Sequence, residues 1–237
     1  MKNLIYIFLA LLVAPGYIAP CSSQGFHYEG PGNDNYLFAI GWSKDGKRLA
    51  YGMFNNYESA ISDERISSIS IIIHDLVKDS LIFHTADVSS SGNPDYASTA
   101  KQAWLRFDKG SNLNGWLRKF GIETASSNAV LFDGTQPGNT ITTDNDLLTV
   151  DIRVSENPGG YANKFEIRVN SRNLGEKTVA SDEMPAYRSW VTMNGYILNP
   201  DRSRAAIILS LHGGAEMDSE YFIVGCHLKA GFKMTEK

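Results

Sequence analysis

The sequence lacks the motifs and the charge pattern of several common function classes. It has no Gly-x-Ser-x-Gly motif to position a nucleophilic serine, and its glycine pair at residues 159–160 precedes a predicted strand rather than a phosphate-binding helix. Its 22 basic and 26 acidic residues give a net charge of −4, and its densest basic groups are turn residues. Nucleic-acid binding is therefore not predicted, and no cofactor is expected.

Cysteine is scarce as well, and Cys21 and Cys226 are the two present in 237 residues. A strand period places Cys226 on one face with Phe222, Val224 and Leu228, and that face is apolar. The pattern predicts a buried core thiol at Cys226 rather than a disulfide. The alternative, a bond between the two cysteines, requires that Cys21 remains in the mature chain without a lipid.

Long apolar runs are absent after the first 20 residues, and the N-terminal run is itself short. Lys2 precedes 11 uncharged apolar residues, 4–14, whereas a helix that spans a bilayer needs about 20. The pattern predicts a signal peptide over residues 1–20, and hence export to the periplasm or the cell surface.

The residues that follow leave two predictions for the N-terminus of the exported protein. The sequence Ile-Ala-Pro-Cys at residues 18–21 resembles a bacterial lipobox, in which the cysteine is acylated, although Pro20 departs from that pattern. Acylation of Cys21 would give a membrane-anchored lipoprotein on a flexible tether, residues 21–34. Ordinary cleavage near Gly16 or Ser23 would instead release a soluble protein.

The remaining residues, 35–237, are predicted to form a single, mainly β domain. About ten segments have the apolar alternation and the β-branched residues of strands. The first of these is apolar on both faces, with Phe38, Ile40 and Trp42 on one of them. Two short helices are predicted within an insertion at about residues 95–121. We predict an antiparallel β-sandwich, or an incomplete propeller-like sheet assembly, with this two-helix insertion.

One segment of the sequence occurs twice. Residues 41–51 align without gaps on residues 197–207, 156 positions later, and both copies have the pattern of strand, tight turn and strand. Asp45 matches Asp201 in this alignment, and both aspartates are predicted to be turn formers.

The first copy, Ser-Lys-Asp-Gly-Lys-Arg-Leu-Ala-Tyr at residues 43–51, is similar to the hairpin of β-propeller blades of the TolB and WD40-like type. A closed propeller needs four or more blades of four strands, so about ten strands predict no closure within one chain. Over a longer span the chain resembles a family of predicted secreted bacterial proteins of unknown function. This resemblance rests on the exported N-terminus, the hairpin, the predicted helix end at residues 116–122 and the strand at residues 223–228. It implies no catalytic residues.

Two groups of residues are candidates for a metal site. His74 and Asp75 end one predicted strand and His84 ends the next strand of the same hairpin, so these three are candidate ligands for zinc or copper. Asp144 and Asp146 follow an oxygen-rich segment and are candidate ligands for Ca²⁺. The alternatives are ordinary strand-end histidines and a loop rich in Asp and Asn.

These observations favour a non-enzymatic binding or structural domain of the cell envelope over an enzyme. Its expected partner is a protein or a surface glycan, and its one expected contact with the membrane is a lipid on Cys21. Two alternatives stay open. One is a metal-binding or hydrolytic domain that uses His74, Asp75 and His84, and the other is an assembly module whose exposed sheet edges pair with a second chain.

Overall fold

A computed structural model describes most of the chain from Gly25 onward, and the described residues form 14 strands and one helix. The prediction of a mainly β protein is confirmed. The predicted signal peptide, Cys21 and most of the first predicted helix lie outside the described residues. Those residues are 25–30, 33–58, 65–91, 107, 110–123, 128–131, 138–156, 162–184, 188–213 and 220–234.

Sheet I is the first of three antiparallel sheets. A short helix, α1 (Leu113–Lys119), lies in the sequence between its fifth and sixth strands. Its strands are β1 (Gly25–Gly30), β2 (Asn33–Ser43), β3 (Arg48–Glu58), β4 (Arg65–Asp75), β5 (Ser80–Ser91) and the short β6 (Ile122–Glu123). The spatial order is β1-β2-β3-β4-β5, and β6 pairs with β2. β1 lies in the segment predicted as a flexible tether, where the structure has a strand paired with β2.

Sheets II and III come from the rest of the chain. In sequence order their strands are β7 (Asn128–Leu131), β8 (Thr140–Thr142), β9 (Leu147–Glu156), β10 (Ala162–Ser171), β11 (Gly175–Glu183), β12 (Arg188–Leu198), β13 (Arg204–Gly213) and β14 (Glu220–His227). Sheet II has the order β14-β13-β12-β7, and sheet III has the order β11-β10-β9-β8. Sheet III is thus inserted in the sequence between two strands of sheet II.

The sheets stack face to face, with sheet II in the middle. α1 covers one face of sheet I through a cluster that includes Phe38, Ile71 and Leu117. The other face of sheet I packs on sheet II through a second cluster, which includes Trp42, Leu49, Ile197 and Ile208. Sheet II packs on sheet III through a third, which includes Ile141, Phe165, Ile207 and Val224. The result is a sandwich-like stack of a helix and three sheets, in which alternate residues of each inner strand enter different cores.

Both faces of β2 are buried, as predicted, but a β-bulge changes the face on which Trp42 lies. The register between β2 and β3 shifts between Ala39 and Gly41, so the alternation is interrupted at Ile40. Phe38 and Ile40 therefore face α1, whereas Trp42 faces sheet II. The prediction of one shared face is wrong for Trp42, because one extra residue moves every later side chain to the opposite face.

The structure has more strands than the ten or so that the sequence predicts. β11 is the clearest addition, since its sequence Gly-Glu-Lys-Thr-Val-Ala-Ser-Asp-Glu has no apolar alternation. It is the outermost strand of sheet III and its side chains are half-buried or exposed. A polar strand at a sheet edge is formed by backbone pairing with its neighbour, and hydrophobic periodicity does not reveal it.

Cys226 is a buried core thiol, as predicted. It is free and 2% exposed, and it lies in the core between sheets II and III. Phe222, Val224 and Leu228 pack in the same core, which confirms the predicted face of β14.

The repeated segment forms two equivalent hairpins, β2–β3 in sheet I and β12–β13 in sheet II. The equivalence extends to a third strand, because Arg48 and Arg204 pair with the last residues of β4 and β14 respectively. The residues that follow these strands also match. The N–H groups of Leu76 and Leu228 each donate, at 2.8 Å, to a carbonyl of the corresponding hairpin turn. Sheets I and II therefore share a three-stranded unit.

The turns of the two hairpins have the same hydrogen bonds and lie side by side. Asp45 and Asp201 act as turn formers, as predicted, and each carboxylate accepts the N–H of the residue two positions later, at 3.1 and 2.9 Å. A Cβ placed on Gly46 would lie 2.4 Å from Nδ2 of Asn199. Since the turns are neighbours at one end of the stack, equivalent strands of sheets I and II run in the same direction.

The two units differ where a turn requires a left-handed residue. Gly46 has a φ of +65°, whereas the equivalent residue of the second unit is Arg202, with a φ of +52°. At the position three residues after Leu76 and Leu228, the relation is reversed. The first unit has Asp79 there (φ +46°), and the second unit has Gly231 (φ +83°). A residue with a side chain costs about 1–2 kcal/mol in this conformation. Each of these two left-handed residues with a side chain connects two sheets. Asp79 accepts a backbone N–H from β14, and Arg202 donates to Asp144 of sheet III.

Candidate functional site

The predicted zinc or copper ligands lie on one hairpin, and the structure does not bring all three together. His74 and His84 share the face of sheet I that points to sheet II, because they pair with Leu49 and Ile72 of that core. Asp75 alternates to the opposite face, and its Oδ1 accepts two backbone N–H groups of the next turn at 2.9 and 3.1 Å. Among the described residues, no group of three or more His, Cys, Asp or Glu side chains is arranged to hold a metal ion.

His74 lies instead at the contact between sheets I and II. Its Nε2 is buried, has no hydrogen-bond partner among the described residues, and lies 3.9 Å from Oδ1 of Asp79. Burial lowers the pKa of His74, and the nearby Asp75 carboxylate opposes this only in part. The imidazole is therefore neutral at physiological pH.

We expect the free energy of unfolding to fall as the pH is lowered from 7 to 5.5. The unfolded chain takes up a proton at His74 near its ordinary pKa of 6.5, whereas the folded chain does not, so acid favours the unfolded state. Burial also lowers the pKa of His227, which adds to the effect. Urea unfolding of His74→Gln across this pH range should show a shallower decline of the midpoint. An unchanged slope in the variant would mean that His74 is not the titrating group.

The predicted calcium ligands lie in the turn between β8 and β9, where their carboxylates bind protein groups. Asp144 Oδ1 forms a hydrogen-bonded ion pair with Nη1 of Arg202, which joins sheet III to sheet II. Asp146 Oδ1 accepts the N–H of Leu147 at 2.9 Å, and its Oδ2 accepts the hydroxyl of Ser171. These contacts are those of a polar turn.

Asp144 and Asp146 also line a pocket of about 200 Å³, which we call the turn pocket. It lies at the end of sheets II and III where three turns meet the segment after β14. Its lining residues are Thr143, Asp144, Asn145 and Asp146 from the first turn, Asn173 and Leu174 from the second, Arg202 from the third, and Leu228 and Lys229 from the segment after β14.

The hydroxyl of Ser171 fixes two of these turns relative to each other. It donates to Oδ2 of Asp146 and accepts the N–H groups of Asn173 and Leu174 at 3.1 and 2.8 Å. One proton and two lone pairs are all that a hydroxyl has, so its bonding capacity is fully used. Ser171 is buried, and the pocket wall that it supports is therefore pre-organised.

Arg202 lies at the pocket in the left-handed conformation already described. Its N–H donates to the carbonyl of Asn199 at 3.0 Å, which closes the turn, and its guanidinium reaches Asp144. Gly46 makes the equivalent turn without a side chain, so the turn itself does not require arginine. Strained residues of this kind concentrate at functional sites. We therefore attribute the presence of arginine at position 202 to the groups that its side chain binds.

The last wall of the pocket is held against β11. Lys233 and Glu176 exchange two backbone hydrogen bonds of 2.9 Å. Nζ of Lys177 donates to the carbonyl of Ala230 at 2.9 Å, and burial lowers the pKa of this lysine. These contacts place Lys229 beside the pocket.

The pocket has groups for binding and lacks a catalytic pair among its described lining residues. These include no histidine, cysteine or serine. The hydroxyl of Thr143 donates to the carbonyl of Asp146 at 2.8 Å and accepts the N–H of Asp146 at 2.9 Å. A nucleophile needs a base within hydrogen-bonding reach, and this arrangement does not supply one.

The sequence pointed to the two aspartates of the pocket but not to its cations. The repeat assigns Arg202 to a hairpin turn, and Lys229 belongs to no recognisable motif, so neither is predicted as a site residue. The signal for Arg202 was nevertheless present. In the aligned repeat it stands at the position of Gly46, and an arginine that replaces a turn glycine is an exception to local sequence preference.

No protein-family model matches this sequence, and no curated protein is significantly similar to it. Within the described ranges, no helix has the length and apolar character needed to cross a membrane.

Proposed function

We propose that this chain is a non-enzymatic binding protein of the cell envelope whose turn pocket binds an acidic saccharide. The observation that carries the proposal is the conformation of Arg202. Its backbone is left-handed, at a cost of about 1–2 kcal/mol, where the equivalent turn of sheet I has a glycine. Its guanidinium lies at the pocket, where a bound anion would offset this cost.

The charges of the pocket favour a carboxylate on the ligand. The ion pair with Asp144 engages Nη1 of Arg202, and a guanidinium has five N–H donors in all. Lys229 adds a second cation. Asp146 keeps its negative charge, but hydrogen bonds from Leu147 and Ser171 engage its two oxygens, and neither of these partners is a cation of the pocket. A ligand carboxylate can therefore bind to the two cations with charge-assisted hydrogen bonds.

The rest of the lining favours a saccharide over a simple anion. The amides of Asn145 and Asn173 supply both donors and acceptors, which is what sugar hydroxyls require. Leu174, which is 36% exposed, supplies an apolar surface for the C–H groups of a sugar ring. Drug-sized ligands occupy pockets of roughly 300–1,000 Å³. The turn pocket, at about 200 Å³, has the size for a single sugar unit, and the remainder of a longer glycan would extend into solvent.

The proposed location rests on the N-terminal sequence. Residues 1–20 have the pattern of a signal peptide, and Cys21 follows them in a lipobox-like context. We propose that the protein is exported and that a lipid on Cys21 holds it at a membrane. An exported protein meets envelope glycans, and this agrees with the ligand class proposed for the pocket.

Titration of ¹⁵N-labelled protein with D-glucuronate tests the proposal, and D-glucose is the matched neutral probe. We expect glucuronate to shift the amide signals of residues 143–146, Asn173, Arg202 and Lys229, with a Kd on the order of 1 mM, or about −4 kcal/mol. Glucose should bind at least tenfold more weakly. Equal responses to the two sugars would overturn the acidic ligand class. The absence of any shift at the pocket would overturn the proposed function.

A further inference from the structure

Sheet I is one strand wider than sheet II on one side of the stack. Its strands β2, β3 and β4 lie opposite their equivalents β12, β13 and β14, and β14 is the outermost strand of sheet II in the described part of the chain. None of the described strands of sheet II is equivalent to β5, because the chain leaves β14 for β11, where Lys233 pairs with Glu176. β5 therefore extends beyond sheet II, and we call its sheet II-facing side, with Leu81, His84, Ala86 and Val88, the overhang.

The overhang is exposed and largely apolar. Leu81 pairs with His74 and Val88 pairs with Ser68, both on the side of sheet I that points to sheet II. Leu81 is 60% exposed and Val88 is 63% exposed, and Ala86 between them is exposed as well. Elsewhere on the same side of sheet I, apolar residues are buried under sheet II. An exposed apolar strip on an outer strand is typical of a contact surface.

β14 presents a strand edge beside the overhang. The N–H of Leu228 points to β13, so by alternation the backbone groups of Ile223 point away from β13. Asp79 marks the end of this edge, since its Oδ1 accepts the N–H of Gly225 at 2.7 Å. β14 runs in the same direction as β4, and β5 runs antiparallel to β4. The outer strands of the two sheets are therefore antiparallel.

We propose that two copies of this chain associate through their overhangs, about a two-fold axis parallel to the strands. This rotation places sheet I of one copy level with sheet II of the other. The outer edge of β5 then pairs in antiparallel fashion with β14 of the second copy, and the reverse pairing forms at the same time. The two overhangs lie one over the other, at the sheet spacing of about 10 Å, and bury Leu81 and Val88 of both copies.

The difference in width between sheets I and II explains why we propose a second copy, rather than an unrelated strand, as the partner that covers the overhang. A two-fold interface needs a surface that is complementary to itself. Each copy has one overhanging strand, β5, and a space one strand wide beside β14. The two-fold rotation meets the requirement, because it places β5 of each copy in the space beside β14 of the other. An added foreign strand would cover the overhang of one copy but would leave a new exposed edge.

Sedimentation velocity of the purified protein tests the association. We expect a species with twice the mass of one chain, and a dimer Kd that rises at least tenfold in Leu81→Lys. Leu147→Lys is the matched control, because Leu147 is 56% exposed on sheet III and lies outside the overhang. A monomeric unchanged protein, or a dimer that Leu147→Lys disrupts as strongly as Leu81→Lys, would overturn the proposal.

A cysteine cross-link tests the orientation of the two copies. The proposed rotation keeps residues at the same height along the strands, so Val88 lies opposite Val88 of the second copy. In a Cys21→Ser background, mild oxidation of Val88→Cys should give a disulfide-linked dimer, since Cys226 is buried. Leu147→Cys should give none. Equal cross-linking of both variants would contradict the overhang arrangement.

Discussion

Gly225→Ala is expected to lower the free energy of unfolding by about 3 kcal/mol, because it forces sheets I and II apart. A Cβ on residue 225 would lie 1.9 Å from the carbonyl oxygen of Leu76 and 2.7 Å from its carbonyl carbon. Both atoms belong to the backbone, so no side-chain rotation relieves the overlap. The Leu76 backbone is itself fixed, since its N–H donates to the carbonyl of Lys47 at 2.8 Å.

The same substitution also weakens a hydrogen bond between the sheets. Gly225 donates its N–H to Oδ1 of Asp79, and displacement of β14 would lengthen this 2.7 Å contact. Gly110→Ala is the matched control, because a Cβ on Gly110 would meet no atom within 4 Å. Urea unfolding of both variants measures the difference. If Gly225→Ala is no less stable than Gly110→Ala, the close contact between β14 and the turn after β4 is wrong.

Arg202→Gly is expected to weaken glucuronate binding at least tenfold while the protein remains folded. A hydrogen bond to a charged group contributes about 1.5–3 kcal/mol, and about 1.4 kcal/mol corresponds to a tenfold change in Kd. The fold should tolerate glycine here, because Gly46 occupies the equivalent position of sheet I with a similar φ. Relief of the left-handed strain offsets the lost ion pair with Asp144 and the added chain entropy. We therefore expect a free energy of unfolding within about 1 kcal/mol of the unchanged protein.

Arg172→Ala controls for the loss of a positive charge near the pocket. Arg172 lies in the turn between β10 and β11 and is exposed, but it does not line the pocket. Its removal should leave glucuronate affinity within about twofold. Titration and urea unfolding of both variants separate a binding role of Arg202 from a structural one. Unchanged binding in a folded Arg202→Gly variant would show that the guanidinium does not hold the ligand.

Hydrophobic periodicity was sufficient to predict the strands that bury an apolar face in the stack. β2 and β14 carry apolar residues in a pattern that only a covered sheet face explains, and the buried position of Cys226 followed from the same pattern. The bulge at Ile40 was not predictable in this way. A single extra residue leaves composition and local propensity unchanged, and yet it moves Trp42 to the other core.

The turn pocket could not be predicted from any single segment, because its residues come from four places in the sequence. Asp144 and Asp146 were visible as an acidic loop, but their partners, Arg202 and Ser171, lie 58 and 25 positions away. These contacts depend on how sheet III packs on sheet II. The insertion of sheet III between β7 and β12 determines that packing, and no local pattern records it.

A crystal structure of the protein with bound D-glucuronate tests the central claim most directly. The claim predicts the sugar in the turn pocket, with its carboxylate within hydrogen-bonding distance of Arg202 and Lys229 and with its ring against Leu174. Glucuronate bound at another surface, with the turn pocket empty in the same crystal, would contradict the claim.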